Sequence, residues 1–174
     1  ATAKELDFLK KMYTAHEKID STYFAYNEEY KKHVLNIDVE FETGKADITN
    51  VGLGKLQALE EAGKAIQKFI SEASSDTDMY KIRYLLVIEG QASKDGYNVD
   101  ECNNNDVLSY RRALALKSYW ENKSVTFPVD RCELLVSGSG ETGQMRVMPD
   151  NRFNKANQRF IIHIIPKPDL VTKK

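Results

Sequence analysis

The chain has 174 residues, with 25 basic and 26 acidic side chains and a formal net charge of -1. That balance excludes the broad basic surface that holds nucleic acid, and no apolar run reaches the roughly 20 residues of a membrane-spanning helix. A composition of 41% hydrophobic and 29% charged residues suits one globular domain with a real core. The opening Ala1-Thr2-Ala3-Lys4-Glu5 lacks the basic-then-apolar pattern of a signal peptide and has no initiator Met. The chain is therefore expected to be a processed or trimmed piece.

Residues 3 to 33 read as one long helix. Leu6, Leu9, Met12 or Tyr13, His16, Ile19, Tyr23, Tyr26 and Tyr30 recur at steps of three and four, with Lys and Glu between them. The seam is aromatic and polar, which leaves open a coiled coil or a helix lying across the domain. Tyr23, Phe24, Tyr26 and Tyr30 resemble a stacking platform for sugars or bases, but their helical spacing favours packing. Leu35, Ile37, Val39 and Phe41 then alternate as in a strand with one buried face, and Thr43-Gly44-Lys45 breaks it. A second helix is predicted from about Gly52 to Ala73, with Leu53, Leu56, Leu59, Ala62, Ile66, Phe69 and Ile70 on one stripe. Ser74 to Asp78 reads as a surface loop.

The central stretch, Ile82 to Trp120, organises the rest. Ile82-Arg83-Tyr84-Leu85-Leu86-Val87-Ile88 has the branched and aromatic residues of a buried strand. A polar loop from Gly90 to Asn104 follows. A helix then starts at Asn105 as N-cap, with Asp106 at its positive end and Leu108, Ala113, Leu116 and Trp120 on one face. Strand, polar loop and helix N-terminus together make a common small-ligand site, because backbone N–H groups and capping side chains converge there. Phe127 to Asp130 turns the chain, and Cys132 to Ser137 forms a short strand closed by Gly138-Ser139-Gly140. A last strand spans Arg159 to Ile165, stopped by Pro166 and Pro168. The order is a helix followed by β-α-β-α-β-β on one mixed sheet, an α/β (α+β) two-layer sandwich. The expected division is an N-terminal amphipathic linker or interaction helix over 1–34, a domain over 35–168 and a tail over 169–174.

No constellation demands catalysis. His16, His33 and His163 fall on unrelated elements, so no metal site is expected. Gly138-Ser139-Gly140-Glu141-Thr142-Gly143 lacks the Lys of a phosphate loop and reads as a strand-ending turn. No nucleophile elbow or activated Cys arrangement appears. Cys102 and Cys132 flank a helix of about 18 residues, whose ends lie roughly 27 Å apart. A disulfide needs Cα atoms within about 7 Å, so no internal bridge is expected.

Asn105-Asp106-Val107-Leu108-Ser109-Tyr110-Arg111-Arg112-Ala113 fits the pattern N-x-x-L-S-x-x-R-A. Val39-Glu40-Phe41 precedes it, and Ile88-Glu89-Gly90-Gln91-Ala92-Ser93 stands where I-x-G-H-T-D would. Asp130-Arg131-Cys132, then Gly138-Ser139-Gly140-Glu141, then Asn157-Gln158-Arg159-Phe160 follow in order. These motifs resemble the C-terminal family of outer membrane protein A, whose peptidoglycan-binding domains are also found in flagellar stator B subunits. The resemblance covers about residues 37 to 165. Val39 to Phe41 stands at that family's first strand.

The resemblance implies a bacterial, non-catalytic domain without a cofactor that binds the diaminopimelate-type stem peptide of peptidoglycan. Such a domain tethers an envelope protein to the cell wall. It implies a periplasmic location, with anchorage to the outer or inner membrane in a full-length protein. Arg112 would be the guanidinium fork for a ligand carboxylate, with Asn105, Leu108 and Ser109 shaping the pocket. The family's Asp for the ligand ammonium is Ser93 here, and its His is Gln91. Its N-R-R is Asn157-Gln158-Arg159, one positive charge fewer. Asp95, two residues beyond Ser93, offers a compensating carboxylate, as do Asp100 and Glu101. These substitutions favour a second reading, an assembly module that has lost the ligand. It would act through its N-terminal helix, on a membrane-anchor partner or a second copy.

Overall fold

A computed structural model of the chain describes residues 2–76, 80–152 and 154–170. Helix α1 (Ala3–Thr14) opens on a capping box: Thr2 Oγ1 accepts from Glu5 N at 3.2 Å, and Glu5 Oε2 accepts from Thr2 N at 2.9 Å. It runs on only as the 3-10 turn Ala15–Lys18. The long helix expected over 3–33 ends there. Its second half is instead an antiparallel hairpin, β1 (Phe24–Asn27) and β2 (Lys32–Leu35). Aromatic and β-branched residues suit a strand, and Asn27 supplies turn chemistry by accepting from Tyr30 N at 3.0 Å. These local preferences override the three-and-four spacing.

The strand expected over 35–41 is not formed beyond Leu35. Leu35, Val39 and Phe41 are buried and Ile37 is half-buried, so the alternation reports burial correctly. Two backbone N–H groups of the stretch are held outside any ladder: Asn36 N donates to Tyr23 O at 2.7 Å, and Phe41 N to the Gln158 side chain at 3.1 Å. Helix α2 (Leu53–Ala73) buries Leu59, Ala62, Ile66 and Ile70, whereas Leu53 stays in solvent.

The remaining elements are β3 (Ser75–Asp76), β4 (Tyr80–Gly90), β5 (Asn98–Asp100), β6 (Asn103–Asn104), α3 (Asn105–Asn122), β7 (Cys132–Gly138) and β8 (Phe160–Leu170). One mixed six-stranded sheet runs β1-β2-β8-β4. The far edge of β4 is shared by parallel β7 and antiparallel β3. The polar loop expected over 90–104 contains the two-stranded ribbon β5–β6. Of the expected loop 74–78, Ser75 pairs with Ile82 and Asp76 with Lys81, and residues 77 and 78 lie outside the described residues. Pro166 and Pro168 do not stop the last strand, which pairs with β4 as far as Leu170. Beyond Ile162 no second strand pairs with β8 among the described residues, and an unpaired edge tolerates a residue without an N–H.

The inner face of β4 buries Ile82, Tyr84, Leu86 and Ile88 under the helices. Trp120 of α3 locks the two long helices together, with its Nε1 donating to Leu59 O at 2.7 Å. Two of the three histidines are not scattered: the His16 and His33 rings lie 5.6 Å apart. Cys102 is exposed and Cys132 buried, and both are free thiols.

The first turns of α3 rest on backbone. A Cβ on Gly90 would lie 2.0 Å from Ser109 O, and one on Gly138 would lie 2.3 Å from Tyr110 N. Gly90 and Gly138 are paired neighbours at the ends of β4 and β7, so the helix enters across two bare strand ends. Gly90→Ala must push α3 off the sheet. The expected cost is about 3 kcal/mol, read as a lower urea midpoint at unchanged slope.

Candidate functional site

The candidate site sits where β4 ends, its loop crosses, and α3 begins. The N-cap is Asn104, one residue before the expected Asn105; its Oδ1 accepts from Val107 N at 3.0 Å. Asn105 is the first helical residue and gathers the loop. Its Nδ2 donates to Asp95 Oδ1 at 3.0 Å and Glu141 Oε2 at 3.1 Å, and reaches Ser93 O at 3.4 Å. Asn105 Oδ1 is buried and unpartnered among the described residues. Asp95 also accepts from Tyr97 N at 3.0 Å. Asp95, Asp106 and Glu141 thus place three carboxylates at the positive end of α3. A groove of about 470 Å³ opens there, lined by Tyr97, Asn98, Asn105, Asp106, Glu141 and Thr142.

Arg112, two turns further along α3, is only 1% exposed. Its Nε donates to Lys45 O at 3.0 Å and its Nη2 to Glu42 O at 3.5 Å, while the guanidinium lies 4.4 Å from the centre of the Phe41 ring. Nη1 makes no hydrogen bond to the described residues. Burial pushes the Arg112 guanidinium down to about 10, against the pull of Asp95.

Ser93 is buried and already engaged. Gln158 Nε2 donates to Ser93 Oγ at 3.0 Å, and Gln158 Oε1 takes Phe41 N, so one amide bridges three segments. Ser109 Oγ donates to Asp106 O at 2.8 Å and accepts from Gly140 N at 2.9 Å, stitching α3 to the turn after β7. Leu108 is buried beside them. Ser93, Asp95, Asn105, Arg112 and Gln158 therefore form one cluster.

Gln91, Asn157 and Arg159 form a second cluster that holds the loop between β7 and β8. Gln91 Nε2 donates to Gln144 O at 2.7 Å, and Arg159 Nε donates to Gln91 Oε1 at 3.1 Å. Arg159 Nη2 also donates to Met145 O. Asn157 Oδ1 accepts from Val147 N at 2.7 Å, and its Nδ2 donates to Asp150 Oδ1 at 3.2 Å.

Four contributors are not among the expected site residues: Phe41 and Glu141, which the sequence places only within motifs, and Arg146 and Asp150. Arg146 Nη2 meets Asp150 Oδ1 at 3.0 Å, and its Nη1 donates to Ala92 O at 2.8 Å. Lys94 adds a 3.1 Å ion pair, and hydrogen bonding from Arg146, then Lys94, holds the Asp150 carboxyl below the usual carboxylate range. The available signal was a basic and an acidic residue four apart in a loop, too common a pattern to stand out.

No protein-family model and no curated protein matches the sequence. Solved structures do. A MotB-like protein from Desulfovibrio vulgaris superposes with a TM-score of 0.56 at 14% identity, over 93% of this chain and 94% of that one. The periplasmic domain of Helicobacter pylori MotB gives 0.52 at 16% identity, over 83% and 88%. The chain has an OmpA-like fold. The OmpA-like domain of FopA1 from Francisella tularensis is also similar, at 19% identity and a TM-score of 0.46, over 86% and 82%. In this OmpA-like fold, the motif arginine is sealed under Phe41 and the carbonyls of Glu42 and Lys45.

Arg146→Leu leaves Asp150 with the Lys94 ion pair and the Asn157 amide. The expected loss is about 2 kcal/mol. Amide exchange should rise first in residues 141–157, which hydrogen-exchange mass spectrometry would resolve.

Proposed function

We propose that this domain tethers an envelope protein to the bacterial cell wall by non-catalytic binding of a peptidoglycan stem peptide in the periplasm. The observation that carries the reading is Arg112. A buried guanidinium with no carboxylate in contact is costly, and Nη1 is left for an acceptor beside the start of α3. A carboxylate of a diaminopimelate-type residue supplies that acceptor and turns a desolvated charge into a charge-assisted pair. Asp95, the nearby carboxylate whose charge acts on Arg112, takes the ligand ammonium in place of Ser93. The sequence motifs support this reading, as do the similar structures, a MotB-like protein and a periplasmic domain of MotB. Asn105, Ser109, Gln91, Gln158 and Arg159 shape and hold the site.

One observation favours a second reading. Phe41, Glu42 and Lys45 cover the guanidinium, and Gln158 occupies Ser93. If that cover never opens, the fold serves as an assembly module, and α1 with its 3-10 turn is the part that meets a membrane-anchor partner or a second copy.

Titration calorimetry with a soluble diaminopimelate muropeptide separates the two. The expected outcome is saturable binding, weakened at least tenfold in Arg112→Ala, as loss of about 1.4 kcal/mol or more requires. Absence of binding by the unmodified chain, with circular dichroism showing the fold intact, would reject wall binding. Equal binding by Arg112→Ala would reject the pocket assignment.

A further inference from the structure

His16 and His33 are the least explained buried groups in the molecule. His33 is 1% exposed and His16 5%, and neither ring has a side-chain hydrogen-bond partner among the described residues. Their polar contacts are to backbone alone, His33 to that of His16 and His16 to that of Tyr13, which leaves two adjoining buried imidazoles with no side chain to share a proton. The two rings meet edge to face at 5.6 Å, and Tyr26 lies 5.5 Å from one and 4.8 Å from the other. His16 comes from the 3-10 turn after α1 and His33 from β2. The pair is therefore the seam between the N-terminal segment and the sheet. No group of three His, Cys, Asp or Glu side chains gathers there among the described residues, short of the usual ligand count of a zinc site.

The groups around the pair come from every neighbouring element. Glu17 of the 3-10 turn bears on His16 and accepts from Tyr26 Oη at 3.3 Å. Lys31, in the hairpin turn, opposes a positive His16. Tyr13 of α1 faces it through its backbone, and β8 sets apolar Ile162 opposite His33. No carboxylate reaches His33 among the described residues.

We propose that the His16–His33 contact is an acid-sensitive latch, which on protonation releases the N-terminal segment, residues 2–18, from the hairpin while β4, β7, β8 and α3 stay folded. An imidazolium at His33 would be a buried cation without a counter-charge, opposed by any positive charge on the neighbouring His16. Opening the seam hydrates both rings at the expense of exposing Met12 and the sides of Phe8 and Leu9 that pack on the core. The direction is fixed by linkage. Burial, then the neighbouring charge of His16, lowers His33 to about 4, and burial lowers His16. The open state therefore binds more protons, and the latch is held above the ordinary histidine value and lost as pH falls through it toward about 4.

Hydrogen-exchange mass spectrometry of the whole chain at about pH 7 and about pH 4.5, corrected for intrinsic rates, tests this. Protection in residues 8–35 should fall at least tenfold at the lower pH, with residues 82–90 unchanged. His33→Phe fills the same space without titrating and should flatten the response. Equal protection at both values would overturn the latch, as would an unchanged response in His33→Phe. Should that variant fold poorly, a histidine ring titration of the unmodified chain by NMR decides. An ordinary value for both rings would overturn the proposal, and depressed values would support it.

Discussion

The structure turns on how closely α3 can approach the sheet. Its first turns lie on the bare backbone of Gly90 and Gly138, which face each other across β4 and β7. That contact fixes the depth of the helix, and the depth fixes everything polar around it. Asn105 can reach Asp95 and Glu141 only because the helix starts at the strand ends. Ser109 can bond Gly140 for the same reason. Further along, Arg112 is carried down under Phe41 rather than out into water.

A second consequence is that amides do work that charges could do. Gln158 joins Ser93 to the backbone at Phe41, and Gln91 joins Arg159 to the loop at Gln144. A neutral amide satisfies a donor and an acceptor at once and carries no desolvated charge. The loop after β7 keeps its ions in one place, Arg146 with Asp150 and Lys94. The bridge at Ser93 is thus made without a charge, and Arg112 is left as the buried guanidinium of the site.

Much of this frame was legible in the residues. α2, α3, β4 and β7 follow long apolar patterns in which period and composition agree, and each forms within a few residues of the expected bounds. The N-terminal third was misread because Tyr23, Tyr26 and Tyr30 fit a helical step, while Phe24 and Tyr26 also fit a strand. Tertiary pairing of His33 and Val34 with β8 decided between them. The ribbon at Asn98–Asn104 is too short to carry a period. Within the site, the helix-start motif located Asn105, Ser109 and Arg112 correctly as neighbours of Asp95. The cover over Arg112 was invisible because Glu42 and Lys45 act through backbone carbonyls, which no side-chain pattern encodes. The bridge by Gln158 joins segments far apart in sequence, and only the fold brings them together.

The two thiols differ in a way that has practical value. Cys132 is in the core, where burial pushes its thiol up to about 11, so it holds its proton and reacts poorly. Cys102 stands exposed in the turn of the β5–β6 ribbon, two residues before the N-cap of α3. A thiol-directed fluorophore would therefore mark one position without any substitution. The chain carries its own attachment point beside the groove, and emission from that point would follow the opening and filling of the helix start in real time.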